Sequence, residues 1–275
     1  PAEGCLLYLT LDSSNGKTVY EATIDENGHA CFEDIPYGWY TITESEEARE
    51  AGYKLIDPVP LYIYENELNL YFITEENPIE YHVRVVKKDA ETLKTIPVAN
   101  TTYKIWSYED NDYVTMMTYP QGEISEFKTS ENGEFTTPEP LPIGKYKLVE
   151  LTPPNGYHLN DLEFELEDAV FENDDEEPIV TQLQYDNPQK AKIRITKMAE
   201  VVTGVSQSTD PTTGLEIFTP VYEERGLKGV TYRVTAKENI TTADGTIRMY
   251  KDQYVDITTD ENGVASTDYL YLGEY

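Results

Sequence analysis

The sequence contains little cysteine and no long hydrophobic run. Its 2 cysteines, Cys5 and Cys31, are too few for a disulfide framework in 275 residues. Strand parity also disfavours a single bridge between them, so we expect two free thiols. No stretch of about 20 apolar residues occurs, so no segment of this chain is expected to insert into a membrane.

Basic residues and histidines are also scarce. The chain has 21 Lys and Arg against 52 Asp and Glu, a formal net charge of −31 that repels nucleic acid and anionic membranes. The three histidines, His29, His82 and His158, are scattered and lack metal-ligand spacing, and no nucleophile elbow occurs. We therefore expect no enzyme, no metal and no cofactor. The acidic run at residues 171–177 lacks the ligand spacing of a calcium loop and is predicted to be a charged hairpin tip.

An internal repeat is the main signal in the sequence. Three segments share Glu-Asn-Gly, then alternating apolar residues, then Gly-x-Tyr; they begin at Glu26, Glu131 and Glu261 and end at Tyr40, Tyr146 and Tyr275. Asn-Gly predicts a tight turn, and the alternation that follows predicts a strand with one buried face. Tyrosine, at 23 residues against 7 phenylalanines, suits such half-exposed β surfaces.

A second shared frame marks the joins between repeats. Asn77-Pro78 precedes Lys87 as Asn187-Pro188 precedes Lys197, ten positions apart in both cases, and the unit repeats every 110 residues. We predict a unit at 1–78 that lacks its first strand, a complete unit at 79–188 and a unit at 189–275 truncated at its C-terminus. Residues 199–226 are an insertion, predicted to form a loop or an extra hairpin. Short strands at turn-punctuated spacing indicate antiparallel β-sandwiches.

On three strands of the middle unit, the side chains predicted to face inward are mostly apolar. The last of them on each strand is polar. Lys87 follows Val83 and Val85, Glu150 follows Tyr146 and Leu148, and Asn187 ends the row Ile179, Thr181, Leu183 and Tyr185. Each could simply reach solvent at a strand end. Because lone buried charges are costly, their occurrence on three strands favours partners inside the unit.

The stretch Tyr146-Lys147-Leu148-Val149-Glu150-Leu151-Thr152-Pro153-Pro154-Asn155-Gly156-Tyr157 resembles the Y-x-L-x-E-x-x-x-P-x-G-Y signature of collagen-adhesin B-type (CnaB-like) domains. These domains build surface adhesins and pilins of Gram-positive bacteria. Lys87-Lys88-Asp89 is similar to the family's opening strand and Asn187-Pro188 to its closing strand. The resemblance covers essentially the whole chain. It implies an all-β fold of tandem Ig-like (prealbumin-like) antiparallel β-sandwich domains in an elongated array.

In that family a lysine and an asparagine join through a side-chain amide, the isopeptide bond, and a glutamate promotes the reaction. The resemblance therefore assigns Lys87 and Asn187 to the cross-link and Glu150 to the catalytic role. Burial favours the uncharged amine and carboxyl, which supplies a nucleophile and a proton donor. Lys88 is the rival nucleophile, but its strand parity points it outward.

The flanking units carry parts of the same site. Glu44 is the equivalent of Glu150 in the first unit, where the Pro-x-Gly-Tyr part has lost its proline although Gly52-Tyr53 remains. Asn77 and Lys197 are partial sites whose partners lie outside this chain. The sequence therefore predicts one complete bond, in the middle unit.

The resemblance implies a structural stalk or spacer of an extracellular, cell-wall-anchored surface protein, with its anchor outside this chain. Its partners would be further repeats of the same polypeptide. One alternative is an adhesive domain that binds a host matrix protein or glycan. Another is an accessory β-sandwich of a secreted hydrolase, which the regular tandem spacing disfavours.

Overall fold

The computed structural model describes residues 4–12, 18–50, 52–65, 70–75, 77–167 and 178–275. The structure confirms the predicted all-β fold, with one short helix. The predicted acidic hairpin tip at 171–177 lies outside the described residues. Within them, no helix is long and apolar enough to cross a membrane.

The first predicted unit contains one four-stranded antiparallel sheet, in the order β2-β1-β3-β4. Its apolar core includes Leu9, Tyr40, Ile42 and Leu61. The elements are β1 (Leu6–Leu11), β2 (Val19–Thr23), β3 (Gly38–Glu44), α1 (Glu47–Glu50) and β4 (Val59–Ile63).

The middle predicted unit is a sandwich of two sheets. The strands are β5 (Glu80–Asp89), β6 (Thr102–Ser107), β7 (Asp112–Tyr113), β8 (Met116–Thr118), β9 (Gly122–Ile124), β10 (Phe127–Lys128), β11 (Glu134–Thr136), β12 (Leu141–Pro142), β13 (Gly144–Thr152), β14 (Leu162–Leu166) and β15 (Ile179–Asp186). One sheet has the order β10-β6-β13-β14, with β7 against β6, and the other has β11-β5-β12, with β15 against β5. Val83 and Val85 of β5 pack with Ile105 of β6 and Leu148 of β13 in a shared core, because alternation turns one face of each strand inward.

One pairing in the middle unit departs from the antiparallel expectation. Strand β15 runs parallel to β5, from Ile179 opposite His82 to Asp186 opposite Asp89. The first and last strands of this unit are therefore direct neighbours that point the same way.

The third predicted unit repeats the opening of the middle one. Its strands are β16 (Lys190–Ala191), β17 (Arg194–Thr196), β18 (Met198–Thr209), β19 (Glu216–Gly226), β20 (Thr231–Thr235), β21 (Ile240–Thr241), β22 (Ile247–Met249), β23 (Tyr254–Thr258), β24 (Val264–Ser266) and β25 (Leu270–Tyr271). Strand β17 pairs with β24 as β5 pairs with β11. The predicted insertion forms a hairpin, in which β18 pairs antiparallel with β19.

The Glu-Asn-Gly segments form tight turns, as predicted. Gly28, Gly133 and Gly263 have φ of 81°, 74° and 74°, and each donates its N–H to the carbonyl three residues earlier at 2.9 Å. The preceding asparagines keep negative φ, so the glycine alone supplies the left-handed residue.

The Gly-x-Tyr frame places a tyrosine hydroxyl on a carbonyl four residues earlier in all three units. Tyr40 donates to Pro36 at 2.8 Å, Tyr146 to Pro142 at 2.9 Å and Tyr275 to Tyr271 at 2.9 Å. Burial raises the pKa of Tyr146 to about 12, so this hydroxyl keeps its proton at neutral pH. The repeat thus encodes a hydrogen bond that fixes the chain as it enters β3 and β13.

We expect Tyr146→Phe to lower the free energy of unfolding of the middle unit by about 1 kcal/mol, because the ring stays packed while its hydrogen bond is lost. Urea titration followed by tyrosine and tryptophan fluorescence measures this loss. Tyr119→Phe is the matched control, since Tyr119 is 98% exposed. Equal stability of the two variants would show that the hydrogen bond contributes nothing.

Cys5 and Cys31 are not joined by a disulfide, as strand parity predicted. Cys5 is buried in a small cluster with Ile24 and Ala48, whereas Cys31 is exposed.

Candidate functional site

Lys87 lies near the C-terminal end of β5, and its side chain is buried. The inward row of this strand is Tyr81, Val83, Val85 and Lys87, and Lys87 is 0% exposed. Its N–H donates to Gly133 O and its carbonyl accepts from Ile96 N, both at 2.9 Å. The backbone of Lys87 is therefore held from two sides, and its buried amine would be costly without charged or polar partners.

Glu150, on β13, contacts that amine directly. Lys87 Nζ donates to Glu150 Oε1 at 2.5 Å, and the Tyr103 hydroxyl donates to the same oxygen at 3.2 Å. Asn160 N donates to Oε2 at 3.0 Å. Burial raises the pKa of Glu150, although Lys87 opposes the rise. Both carboxyl oxygens are therefore held in place, and this carboxyl is easier to protonate than one in water.

Asp186, at the end of β15, is the second carboxyl beside the amine. Its Oδ2 lies 2.5 Å from Lys87 Nζ, so the amine and this carboxyl form a buried ion pair. Burial also raises the pKa of Asp186, with Lys87 opposing it.

Gln184 is a further hydrogen-bond partner of the amine. Lys87 Nζ donates to Gln184 Oε1, and Gln184 Nε2 donates to Asp186 Oδ1 at 3.1 Å. Gln184 is 0% exposed and lies opposite Lys87 in the β5–β15 register. Its amide thus bridges the amine and the Asp186 carboxyl and orients that carboxyl.

The structure contradicts the inward placement of Asn187. The inward side chains of β15 are Gln184 and Asp186, whereas Asn187 is exposed, as are Ile179 and Leu183 of the row predicted to face inward. The sequence-based prediction assumed that the apolar residues of this strand face inward. The parallel register with β5 instead brings the even-numbered residues to the lysine.

The repeated Asn-Pro frame serves the joins between units through its backbone. Asn187 O accepts from His158 N at 3.0 Å, and Asn77 O accepts from Lys54 N at 2.8 Å. Pro188 and Pro78 form β-bridges with Tyr157 and Tyr53. Both asparagine side chains are exposed. In both cases the frame therefore binds the loop after β3 or β13 to the start of the next unit.

Lys88, the rival nucleophile, faces away from the site. Its Nζ donates to Thr95 Oγ1 at 3.0 Å, and Lys88 and Thr95 form a β-bridge. The parity argument that separated Lys88 from Lys87 is therefore confirmed.

Glu44 occupies the position in the first unit that Glu150 occupies in the middle one. It ends β3, is 8% exposed, and accepts from Ile56 N at 3.1 Å as Glu150 accepts from Asn160 N at 3.0 Å. The same backbone environment thus holds a buried carboxyl in both units.

Lys197 has the backbone contacts of Lys87 without its burial. Its N–H donates to Gly263 O at 2.8 Å and its carbonyl accepts from Leu227 N at 2.9 Å, matching the bonds of Lys87 to Gly133 and Ile96. The side chain of Lys197 is exposed. No described residue of the third unit stands where Glu150 and Asp186 stand in the middle unit, so the structure does not bring a complete site together there.

The described residues contain no group of three or more His, Cys, Asp or Glu side chains that could hold a metal ion. Around Lys87, the side chains that the structure brings together are one amine, two carboxyls and one carboxamide.

Comparison with known proteins identifies a prealbumin-like fold domain family. A family profile described as "SpaA: Prealbumin-like fold domain" matches residues 7–76 and 81–181, more than half of the chain. No curated protein matches the chain.

The solved structures that are similar to parts or all of the chain include the following three. The Bacillus anthracis TIE protein is 20% identical with a TM-score of 0.48, over 98% of this chain and 41% of that one, so this chain spans less than half of that protein. GBS52, the minor pilin of Streptococcus agalactiae, is 15% identical with a TM-score of 0.33, over 69% and 84% of the two chains. The shaft pilin spaA from Lactobacillus rhamnosus GG is 14% identical with a TM-score of 0.27, over 68% and 85%.

Proposed function

The chain belongs to the SpaA prealbumin-like fold family, and from this premise we propose that it is a stalk segment of an extracellular Gram-positive surface protein, locked by an isopeptide bond between Lys87 and Asp186. The observation that carries the proposal is the burial of one amine between two carboxyls, at 2.5 Å from Glu150 and 2.5 Å from Asp186. The segment acts on no external substrate, since the reaction consumes its own side chains once.

The bond forms by condensation of the amine with the Asp186 carboxyl. Glu150 takes a proton from the Lys87 ammonium, and the neutral Nζ attacks Cγ of Asp186. The new C–N bond replaces a C–O bond of Asp186. The departing oxygen leaves as water with two protons, the one held by Glu150 and one that Nζ loses as it becomes the amide nitrogen. Ammonium and carboxylate thus give amide and water, and Glu150 ends in the protonation state in which it began.

Asp186, rather than Glu150 or Gln184, is the acyl partner that the contacts favour. Both Glu150 oxygens accept hydrogen bonds, which suits a residue that exchanges a proton and stays in place. Gln184 accepts a hydrogen bond from the amine through its carbonyl oxygen. Asp186 is the other carboxyl in contact with Nζ, at 2.5 Å, and its carboxyl carbon is therefore the proposed acceptor of attack.

The position of the bond suits a segment that bears tension. Strands β5 and β15 are the first and last of the middle unit and run parallel, so pulling on the two ends shears one strand along the other. A covalent link near the C-terminal ends of both strands transmits the tension directly from Lys87 to Asp186. The residues between these two positions then bear none of it. The sandwich then stays folded because its hydrogen-bond ladders are bypassed.

Intact-mass spectrometry of the purified protein tests the proposal. We expect the mature mass to be lower than the sequence mass by one water, and tandem spectra to join the peptides that contain Lys87 and Asp186. Lys87→Ala, Asp186→Ala and Glu150→Ala should restore the full mass. Asn187→Ala is the matched control and should keep the loss of water, since its side chain is exposed.

Two results would contradict the proposal in different ways. Loss of ammonia would identify a carboxamide, such as Gln184 or Asn187, as the partner. An unchanged mass in the wild-type protein would mean that the middle unit contains no bond.

A further inference from the structure

Arg248 of the third unit reaches into the end of the middle unit. It lies on β22 with its side chain 9% exposed, and donates to Asp89 Oδ2 at 2.7 Å and to Glu91 Oε2 at 3.2 Å. Asp89 is the last residue of β5 and is fully buried. Exposed ion pairs between units contribute little because solvent screens them. This pair is shielded and joins residues 159 positions apart.

The Asp89 carboxylate unites three parts of the structure. Its Oδ1 accepts from Glu91 N and Thr92 N at 2.8 Å, which shapes the turn after β5. Its Oδ2 accepts from the Tyr157 hydroxyl at 2.8 Å as well as from Arg248. One carboxylate therefore holds its own turn, the loop that contains Tyr157 and the third unit. These donors hold its pKa below the ordinary value, against the opposing effect of burial.

Glu91 forms a second contact point beside the first. Its Oε1 lies 2.5 Å from Lys190 Nζ, and its Oε2 accepts from the Tyr271 hydroxyl at 2.5 Å. The Tyr271 ring also lies under two cations, with its centroid 4.4 Å from Lys190 Nζ and 4.6 Å from Arg248 Cζ. Lys190 and Tyr271 belong to the paired strands β16 and β25.

A third contact point lies on the β21–β22 hairpin. Thr92 Oγ1 donates to Asp244 Oδ2 at 2.7 Å, and Lys94 Nζ donates to Thr246 Oγ1 at 3.0 Å. Two elements of the third unit, the β16–β25 pair and this hairpin, therefore contact the turn after β5. A single contact would leave rotation free, whereas several directional bonds to two elements oppose it.

We propose that these residues are an inter-unit clamp that fixes the third unit on the middle unit in one orientation. The clamp consists of Asp89, Glu91, Thr92, Lys94, Lys190, Asp244, Thr246, Arg248 and Tyr271. Units joined by short linkers and small polar interfaces ordinarily move relative to one another. Here a shielded, hydrogen-bonded charge pair opposes that motion, and parting the units would leave Asp89 and Arg248 without each other. The proposal goes beyond the isopeptide bond, which the clamp does not require.

Distance measurement between spin labels tests the clamp in the full chain. Cys5 and Cys31 are replaced by serine, and labels are attached at cysteines introduced for Glu165 on β14 and Thr258 on β23, both exposed strand positions. Double electron–electron resonance should give a single narrow distance distribution. Arg248→Gln should lose that narrow peak and give a broad distribution, because the central charge pair is gone.

The controls separate loss of the clamp from loss of the fold. Arg233→Gln removes an exposed arginine–carboxylate pair with Asp256 inside the third unit and should keep the narrow peak. Glu91→Gln changes a clamp residue of the middle unit and leaves the residues of the third unit unchanged. It should also broaden the distribution. Glu150→Gln should keep the narrow peak, which distinguishes failure of the clamp from failure of the bond. A broad distribution in the parent protein, or a narrow one in both Arg248→Gln and Glu91→Gln, would overturn the proposal.

Discussion

We expect Glu150→Gln to lower the Tm of the middle unit by roughly 15–25 °C. The substitution removes the carboxyl proposed to move the proton while keeping the size of the side chain, so Lys87 and Asp186 remain in contact but unjoined. The bond would close a loop of about 100 residues, and restriction of the unfolded chain over such a loop contributes about 4–5 kcal/mol. For a domain of this size, each kcal/mol shifts the Tm by about 4 °C or somewhat more.

Differential scanning calorimetry measures the expected shift, and the mass of each sample is recorded beforehand. Glu163→Gln is the matched control, since it makes the same chemical change on an exposed side chain of the same unit, one that accepts from the Tyr108 hydroxyl. This control should retain both the bond and the wild-type Tm. If Glu150→Gln lacks the bond and still unfolds at the wild-type temperature, the bond does not stabilise the unit.

Half of the candidate site could be predicted from strand alternation. Lys87 and Glu150 end rows whose other members are apolar and buried, so the inward face was unambiguous. The closing strand has apolar residues on its exposed face and Gln184 and Asp186 on its inner face, so the same rule selected Asn187. What fixes the face of β15 is its parallel register with β5, a long-range pairing that no local pattern encodes.

The repeats could be recognised in the sequence, but the structural role of only some of them could be predicted. The Glu-Asn-Gly turn follows from the tolerance of glycine for positive φ, which is a local property. The family resemblance assigned Asn187 of the Asn-Pro frame to the cross-link, whereas in both Asn-Pro frames the asparagine carbonyl accepts a hydrogen bond from the loop after β3 or β13. The clamp around Asp89 and Arg248 has no periodic signal, because its residues meet only when two folded units are side by side.

We expect Gly133→Ala to lower the free energy of unfolding of the middle unit by more than about 4 kcal/mol, a loss that single substitutions seldom cause. Gly133 has φ of 74°, and a Cβ there would lie 1.9 Å from Ile96 O and 2.8 Å from Ile96 C. Backbone atoms cannot move aside as a flexible side chain can, so the turn and the Ile96 segment must separate.

The control for this variant separates the clash from the backbone strain. Gly122 has φ of +84°, and a Cβ there would meet nothing within 4 Å. Gly122→Ala should therefore show only the cost of a left-handed alanine, about 1–2 kcal/mol. Urea titration of both variants measures the difference, and equal losses would refute the role assigned to the Ile96 contact.

Gly133→Ala should also abolish the isopeptide bond, although it changes none of the residues that form this bond. Gly133 O accepts from Lys87 N, and Ile96 N donates to Lys87 O, so the two segments that a Cβ would force apart are those that hold Lys87 on both sides. A shift of β5 there moves the amine away from Asp186, which it now meets at 2.5 Å. We therefore expect Gly133→Ala to have the unreacted sequence mass, whereas Gly122→Ala loses one water as the wild-type protein does. A full loss of water in Gly133→Ala would mean that the amine reaches Asp186 without this backbone frame.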